Sequence, residues 1–178
     1  AAAPGAKAPG QLDAEQEPHM NLPEKLRNAP ALLALLLSAW LLAGSQGFCI
    51  DDAWIHMSYA KSLRLGDGLS YNPGDWEIGA SSPLWVALLA LSPWPADPAA
   101  AFYPGKLLGA ACFAGTAGLA AKVCGWRQGW QGWAGWSALA AGCFSALDPL
   151  LIQSAASGME TALAGLLSLG CVLACQKS

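Results

Sequence analysis

Four apolar segments separated by polar stretches are the feature that most restricts how this chain can fold. They lie near residues 31–50, 107–124, 134–152 and 161–175, and each approaches the roughly 20 apolar residues that a helix needs to cross a bilayer. Charged residues make up only 12% of the chain, against about 25% in an ordinary soluble domain. The sequence therefore predicts an all-α, multi-pass membrane protein with about four transmembrane helices.

The chain before the first apolar segment predicts no packed structure. Residues 1–30 are rich in Ala, Pro, Gly and polar residues, a composition typical of a disordered cytoplasmic N-terminus. Met20, followed by NLPEKLRNAP, resembles a native start, which would make residues 1–19 an upstream tail. An alternative is a cleaved signal peptide from Met20 to Gly47. The apolar run continues to Ile50 and three further apolar segments follow, which favours a retained span.

The basic residues predict how the chain is oriented in a membrane. Lys25 and Arg27 precede the first apolar segment, and the positive-inside tendency places them in the cytoplasm. Residues 83–95 are too few, and too interrupted by prolines, to cross a bilayer. We therefore interpret them as a short helix at the membrane interface, with Trp85 and Trp94 at headgroup depth.

With residues 83–95 outside, the chain has four predicted spans and two outer loops. The spans are 31–50, 101–122, 133–151 and 162–176, and the outer loops are 51–100 and 152–161. Lys122, Arg127 and Lys177 then lie on the cytoplasmic side with the N-terminus. A further crossing by 83–95 would place Lys122 and Arg127 outside, so the charges favour four spans.

Neither the charge nor the cysteines indicate nucleic-acid, redox or metal binding. The net charge is −3, and no basic patch is present to neutralise a phosphate backbone. Five of the six cysteines lie in or beside apolar helices without any CxxC pair, and we interpret them as small packing residues. These are Cys112, Cys124, Cys143, Cys171 and Cys175. The role of Cys49, near a membrane surface, stays open.

Two further patterns predict packing and membrane depth. Gly105 and Gly109 form a GxxxG motif, which allows helices to approach closely. Four tryptophans recur at helical spacing among glycines, and we interpret them as an interfacial belt at the cytoplasmic end of a hairpin. They are Trp126, Trp130, Trp133 and Trp136.

The first outer loop opens with two adjacent carboxylates, Asp51 and Asp52, in CIDDAWIH. Residues 51–65 predict an amphipathic helix, with Asp52, His56 and Tyr59 on one stripe. One acid is explained as an N-terminal cap, but a second adds repulsion for little extra capping. The alternative is that one acid takes a proton from an incoming hydroxyl while the other binds a metal or orients the site. Spacing alone leaves both interpretations open.

The stretch DDAWIHMSYAKSLRLGDGLSYNPGDWEIGASSPLW resembles the first periplasmic loop of GT-C type glycosyltransferases. SGMETAL (157–163) is similar to the SGLETAL of the bacterial branch that includes cell-wall arabinofuranosyltransferases. These multi-pass enzymes use sugars carried on polyprenyl phosphate. The resemblance implies a partial GT-C fold, in which short interfacial helices form part of the outer loop.

The resemblance also implies roles for three acids. Asp51 would be the catalytic base, with Asp52 beside it, and Glu160 would face the same cavity. The acceptor hydroxyl would lose its proton to Asp51 and attack the anomeric carbon, and polyprenyl phosphate would leave with inversion. For Glu160 the alternative is a solvated acid that caps the last span with help from Ser157.

Four residues are expected to bind substrate, namely His56, Lys61, Arg64 and Glu77. Lys106 is a further candidate near the donor phosphate, although its side chain could instead extend to the outer interface. For His56 the alternative is the polar face of a loop helix. No metal ligands are assigned, and a divalent metal is left open as a cofactor.

The chain departs from the family pattern at two residues and in length. Ser58 stands where the family usually has Arg, and Ile78 stands where it has Glu, with Glu77 adjacent as a substitute. GT-C enzymes commonly have eight or more spans, so this chain is expected to be an N-terminal piece, completed by a second chain or by a missing C-terminal half.

The expected partners and location follow from the resemblance. The partners are a lipid-linked sugar donor, membrane lipids and the completing chain, with no nucleic acid. The expected location is the inner membrane, with the active site on the periplasmic face. The alternatives are a non-enzymatic four-helix scaffold or transporter subunit that keeps the fold without the reaction, and an inactive truncated fragment.

Overall fold

The computed structural model describes residues 22–44, 51–72, 74–75, 77, 79–96, 100–125 and 130–177. All regular secondary structure in these residues is helical, as the apolar pattern predicts. A short 3-10 helix, Glu24–Asn28, precedes the α-helices of the described chain. They are α1 (Ala29–Gly44), α2 (Asp51–Leu65), α3 (Pro83–Leu91), α4 (Tyr103–Gly125), α5 (Gly132–Ala146), α6 (Pro149–Ser157) and α7 (Thr161–Lys177).

Two helical segments of the described chain are long and apolar enough to cross a membrane. They are Glu24–Gly44, with 21 residues, and α4, with 23 residues. Helices α5 and α6 form a third candidate as a pair, bent by 51° at the break between them. Helix α7 is apolar but shorter, with 17 residues. By length and composition the described residues therefore contain two or three candidate membrane-spanning helices.

The break between α5 and α6 interrupts the predicted span 133–151. The Asp148 side chain accepts hydrogen bonds from the backbone N–H groups of Leu150 at 2.8 Å and Leu151 at 3.2 Å. Pro149 follows in the first turn, where its missing N–H costs nothing. Asp148 and Pro149 thus start a new helix that continues to Ser157, so the predicted outer loop 152–161 is helical over its first part.

The N-terminal prediction is corrected in part. Residues 1–21 lie outside the described part of the chain, but Glu24–Asn28 and the start of α1 are helical within the segment expected to be disordered. Other predictions fall on residues that the structure does not describe. These concern Cys49, Ile50, Ile78, Trp126 and Arg127.

The two predicted outer-loop helices both form, as α2 and α3. Helix α2 buries Ala53, His56, Met57, Tyr59 and Ala60 on one side. The chain leaves α2 through Gly66, whose φ of 90° is a conformation that favours glycine. Helices α2 and α3 pack on each other, and α3 also contacts α4.

Helix α4 is the central element and packs against α1, α3, α5, α6 and α7. The core has two clusters along it. One combines α2, α3 and α4 around Tyr59, Trp85, Leu89 and Cys112. The other joins α1, α4, α5 and α6 around Phe113, and its remaining buried members are all alanines. Small side chains let these helices approach closely.

The predicted GxxxG motif lies where α6 crosses α4. A Cβ on Gly109 would lie 2.7 Å from the Ala155 carbonyl oxygen, and one on Gly105 would lie 3.4 Å from the Gly158 carbonyl oxygen. Glycine at both positions therefore permits the backbones of α4 and α6 to meet.

The two ends of α4 differ in chemistry. Gly105, near its start, faces the turn that carries Gly158. Lys122, near its end, lines a groove together with Arg27. The helical rise separates Gly105 from Lys122 by about 25 Å. We refer to these as the Gly105 end and the Lys122 end of the molecule.

The cysteine packing prediction holds only in part. Cys112 is buried and Cys143 is half-buried, whereas Cys124, Cys171 and Cys175 are exposed. Small buried cysteines pack like alanine, and within the described residues this explains the first two positions alone.

Candidate functional site

The turn between α6 and α7 holds Glu160 against α2 and α3. Gly158 ends α6 with φ of 77°, a left-handed conformation. Its carbonyl oxygen accepts a hydrogen bond of 3.1 Å from the Trp85 indole N–H, and the Trp85 side chain is fully buried. The turn is thereby tied to α3, two residues before Glu160.

His56 and Glu160 meet although they are distant in the sequence. His56 Nδ1 lies 3.7 Å from Glu160 Oε2, and their side chains are 2% and 24% exposed. That separation is longer than a hydrogen bond. Both atoms are buried, and neither has a hydrogen-bond partner among the described residues.

The other nitrogen of His56 is engaged. Nε2 lies 3.2 Å from Ser81 Oγ, in the segment just before α3. Buried polar atoms without a partner are costly, so each calls for an explanation, such as a bound water, an ion or a catalytic role. His56 Nδ1 and Glu160 Oε2 therefore keep hydrogen-bonding capacity, and Glu160 is the more exposed of the two.

Glu160 also lines a cleft of about 200 Å³ between α3 and α7. Pro83, Leu84 and Trp85 form one wall, and Leu163 and Leu167 contribute to the other. Its volume is below the roughly 300–1,000 Å³ usual for a whole small-molecule site. The cleft therefore suits one apolar part of a ligand, next to a carboxylate.

Asp51 and Asp52 form the first turn of α2, and both are exposed. Helical geometry places Asp52 about 40° around the axis from His56, but Asp51 about 140° away. Asp52 therefore shares the stripe of His56, as the spacing predicts. Asp51 lies on the opposite side of α2, which faces away from the buried stripe.

Helix α2 does not bring Lys61 or Arg64 to the His56–Glu160 pair. The Arg64 guanidinium donates to the carbonyl oxygens of Ala90 at 3.3 Å and Ser92 at 3.1 Å, at the end of α3. Arg64 lies about 12 Å along the axis from His56, and Lys61 is about 140° around it. The structure thus gives Arg64 a role in joining α2 to α3 instead of the predicted role in the site.

Lys106 and Glu77 were also predicted to lie near the substrate, and their exposure to solvent differs. Lys106 is buried, with 3% exposure, at the Gly105 end of α4, so its side chain does not extend to the surface as the snorkelling interpretation expected. Glu77 is exposed, in the stretch between α2 and α3. Within the described residues, no group of three or more His, Cys, Asp or Glu side chains could hold a metal ion.

Trp85 is the clearest residue that the sequence prediction misplaced. It was expected at headgroup depth, but it is a core residue that binds the Gly158 carbonyl. The segment PLWVALLAL is apolar on every face, and a helix of that kind is usually buried by neighbours. That signal, and the neighbouring Ser81, could have indicated an α3 packed into the fold.

The two stretches that carry the GT-C resemblance come together at this place. His56, Ser81 and Trp85 belong to the first, which ends in SSPLW, and Glu160 belongs to SGMETAL. No protein-family model, curated protein or solved structure matches this chain. The resemblance therefore rests on the sequence motifs themselves.

Proposed function

We propose that this chain is a GT-C type glycosyltransferase, or the N-terminal part of one, acting on a polyprenyl-phosphate sugar donor and a cell-envelope acceptor. The observation that carries the proposal is the meeting of His56, Ser81 and Glu160. His56 and Ser81 come from the first stretch of the resemblance and Glu160 from SGMETAL, so the approach of His56 to Glu160 brings the two separated stretches together.

The proposed topology has four crossings of the inner membrane, by α1, α4, the bent α5–α6 pair and α7. Arg27 and Lys122 line the same groove, which supports a common side for the basic residues. The positive-inside tendency makes that side cytoplasmic. The Gly105 end, with the acids of α2 and the His56–Glu160 pair, then faces the periplasm.

In the proposed reaction, Asp51 acts as the base. The acceptor hydroxyl gives its proton to the Asp51 carboxylate, and its oxygen bonds to the anomeric carbon of the donor sugar. The bond from that carbon to the phosphate oxygen breaks, and polyprenyl phosphate leaves with the electron pair. Inversion follows from this single displacement, and positioned general-base catalysis contributes about 10²–10⁴ in rate.

The resemblance assigns the base to Asp51, which is exposed to water but lies on the side of α2 away from His56. Asp52 lies on the His56 stripe and is the alternative base, since it is nearer to sugar hydroxyls held by Glu160 and His56 through their unpaired atoms. The apolar cleft beside Glu160 suits the first isoprenoid units of the donor lipid.

A transfer assay tests the proposal with matched acid variants. Membranes containing the full chain are incubated with polyprenyl-phosphate pentose and hexose donors, and lipid-linked sugar consumption and glycan products are measured. Asp51→Asn is expected to lower transfer about 100-fold or more, while Asp75→Asn, an exposed acid of the same loop, leaves it unchanged. Equal membrane insertion of both variants is the control.

The opposite result would favour a different class of protein. If neither Asp51→Asn nor Asp52→Asn affects sugar transfer, neither acid is the catalytic base, and the transferase proposal is wrong. A scaffold or transporter subunit then becomes the better interpretation of the same fold.

A further inference from the structure

A groove of about 390 Å³ opens at the Lys122 end of α4, remote from the His56–Glu160 pair. Helices α1, α4 and α7 form its walls, with Ala31, Gly115, Gly118, Leu119 and Leu166 among the apolar lining residues. Arg27 and Lys122 line it too, and no acidic side chain is among the lining residues. The groove is therefore apolar along its length and carries positive charge.

Glycine keeps the groove open at its centre. A Cβ on Gly118 would meet only the Ala31 Cβ, at 3.7 Å, so the space beside it is not filled by the protein. At Gly115, in contrast, a Cβ would press on Leu166 Cδ1 at 2.7 Å. The open part of the groove thus runs past Gly118, where a larger side chain would occupy it.

The mouth of the groove has features typical of headgroup depth in a membrane. The Arg27 guanidinium carbon lies 5.7 Å from the centroid of a Trp130 ring, a cation–π arrangement that holds Arg27 in place. Tryptophan is enriched at the membrane–water interface. Glu24 lies 3.9 Å from Arg27 but is 88% exposed, and so exposed an ion pair is weak.

We propose that this groove binds one anionic phospholipid, with the lipid phosphate between Arg27 and Lys122 and one acyl chain past Gly118. An anionic phospholipid matches both features of the groove. Its acyl chain suits the apolar walls, and its phosphate suits the two basic residues. A zwitterionic lipid offers no net charge to this mouth, and free phosphate has no apolar part for the walls. The site is separate from the proposed transferase site.

Lipid titration of the purified full chain tests the charged half of the site. Phosphatidylglycerol and phosphatidylcholine with identical acyl chains are added in detergent, and binding is followed by native mass spectrometry and by the rise in Tm. Phosphatidylglycerol is expected to bind more tightly. Arg27→Gln and Lys122→Gln should each weaken its binding about fivefold, and the double variant about 25-fold.

Lys25→Gln is the matched control, since Lys25 is an exposed base of the same 3-10 helix that does not line the groove. It should leave phosphatidylglycerol binding unchanged. Arg27 and Lys122 are exposed as well, so their variants are expected to fold, and the α-helical circular dichroism signal checks this.

Gly118→Leu tests the apolar half of the site with both charges kept. Leucine is a better helix former than glycine, so the variant should keep its helicity while filling the groove and losing lipid binding. Inorganic phosphate alone should give no comparable rise in Tm. These two results separate a lipid site from a simple anion site.

Several outcomes would overturn the proposal. Equal affinity for the two lipids, or wild-type affinity in the double variant, would show that Arg27 and Lys122 do not bind the lipid phosphate. Full binding in Gly118→Leu, or a rise in Tm with phosphate as large as that with phosphatidylglycerol, would show that no acyl chain binds in the groove. If Gly118→Leu loses helicity, the Arg27 and Lys122 variants still test whether the groove binds an anionic lipid. None of these measurements reads sugar transfer, so the two proposals fail independently.

Discussion

At Gly79 the chain passes directly over the hydroxyl group of Tyr59. The Gly79 N–H donates to Tyr59 Oη at 3.1 Å, and a Cβ at this position would collide with the same oxygen. Tyr59 is 2% exposed, so its rigid ring has little room to move. This contact helps to fix the segment that leads to Ser81, and thereby the hydrogen bond of His56.

Gly79→Ala is expected to lower the free energy of unfolding by about 1–3 kcal/mol, since overpacking forces buried groups to shift. The measurement is thermal unfolding in detergent. Tyr59→Phe removes the oxygen with which the new Cβ collides, so Gly79→Ala should be milder in that background, with a coupling of at least about 0.5 kcal/mol. Additive effects of the two substitutions would contradict the contact.

Trp85→Phe should also destabilise the protein. The substitution keeps an aromatic ring but removes the indole N–H that donates a hydrogen bond to the buried Gly158 carbonyl. We expect the free energy of unfolding to fall by about 1–3 kcal/mol. Trp133, which is 74% exposed, provides the matched control, and Trp133→Phe should change the free energy of unfolding by less than about 0.5 kcal/mol. Equal stability of the two variants would show that the indole hydrogen bond is dispensable.

Among the elements, α4 and α6 approach each other closely at Gly109. Gly109 and Gly118 both lie within α4, but only Gly109 faces a backbone atom at close range. Replacing either by alanine gains about 1 kcal/mol of helix propensity. The gain in helix propensity is the same in both variants. The difference between their free energies of unfolding therefore reports the α4–α6 contact alone.

Gly109→Ala is expected to be less stable than Gly118→Ala by about 1–3 kcal/mol, because the new methyl group must displace the Ala155 carbonyl. Gly118→Ala should be at least as stable as the wild type. Both are measured by thermal unfolding under identical detergent conditions. A Gly109→Ala variant as stable as Gly118→Ala would mean that α6 can withdraw from α4 at no cost.

Local spacing explains which parts of these elements could be predicted. Asp52, His56 and Tyr59 lie on one stripe of α2, because helical phase depends only on positions within the helix. The apolar pattern of α3 indicates a buried helix, but the surface that lies opposite Trp85 and the burial of Lys106 depend on long-range packing, and no local pattern states that. The bend at Asp148 was signalled by an Asp-Pro pair, but a hydropathy window averages across such a pair.

For the candidate site, sequence identified His56 and Glu160 separately but not their contact. The approach of His56 to Glu160 depends on the hydrogen bond from Trp85 to the Gly158 carbonyl. This bond joins α3 to a turn that lies 73 residues later in the sequence. Arg64 was assigned to the site because it is basic, whereas its guanidinium binds the end of α3. Composition identifies candidate groups, and long-range packing selects among them.

At the scale of the whole molecule, the proposed topology puts Lys25 and Lys61 on opposite faces of the membrane. Both side chains are exposed, so cysteines there should react readily. In a background without the six native cysteines, Lys61→Cys in intact cells should be labelled by a membrane-impermeant maleimide. Lys25→Cys should be labelled only after permeabilisation, and labelling of both from the same face would refute the topology.

The length of α4 has a consequence for the surrounding lipid. Its 23 residues rise about 34 Å along the axis, slightly more than the roughly 30 Å hydrocarbon core of a typical bilayer. A modest tilt shortens the projection of the helix on the membrane normal and removes this excess. The surrounding bilayer would keep its ordinary thickness, so hydrophobic mismatch at α4 would give the protein little preference between thin and thick membranes.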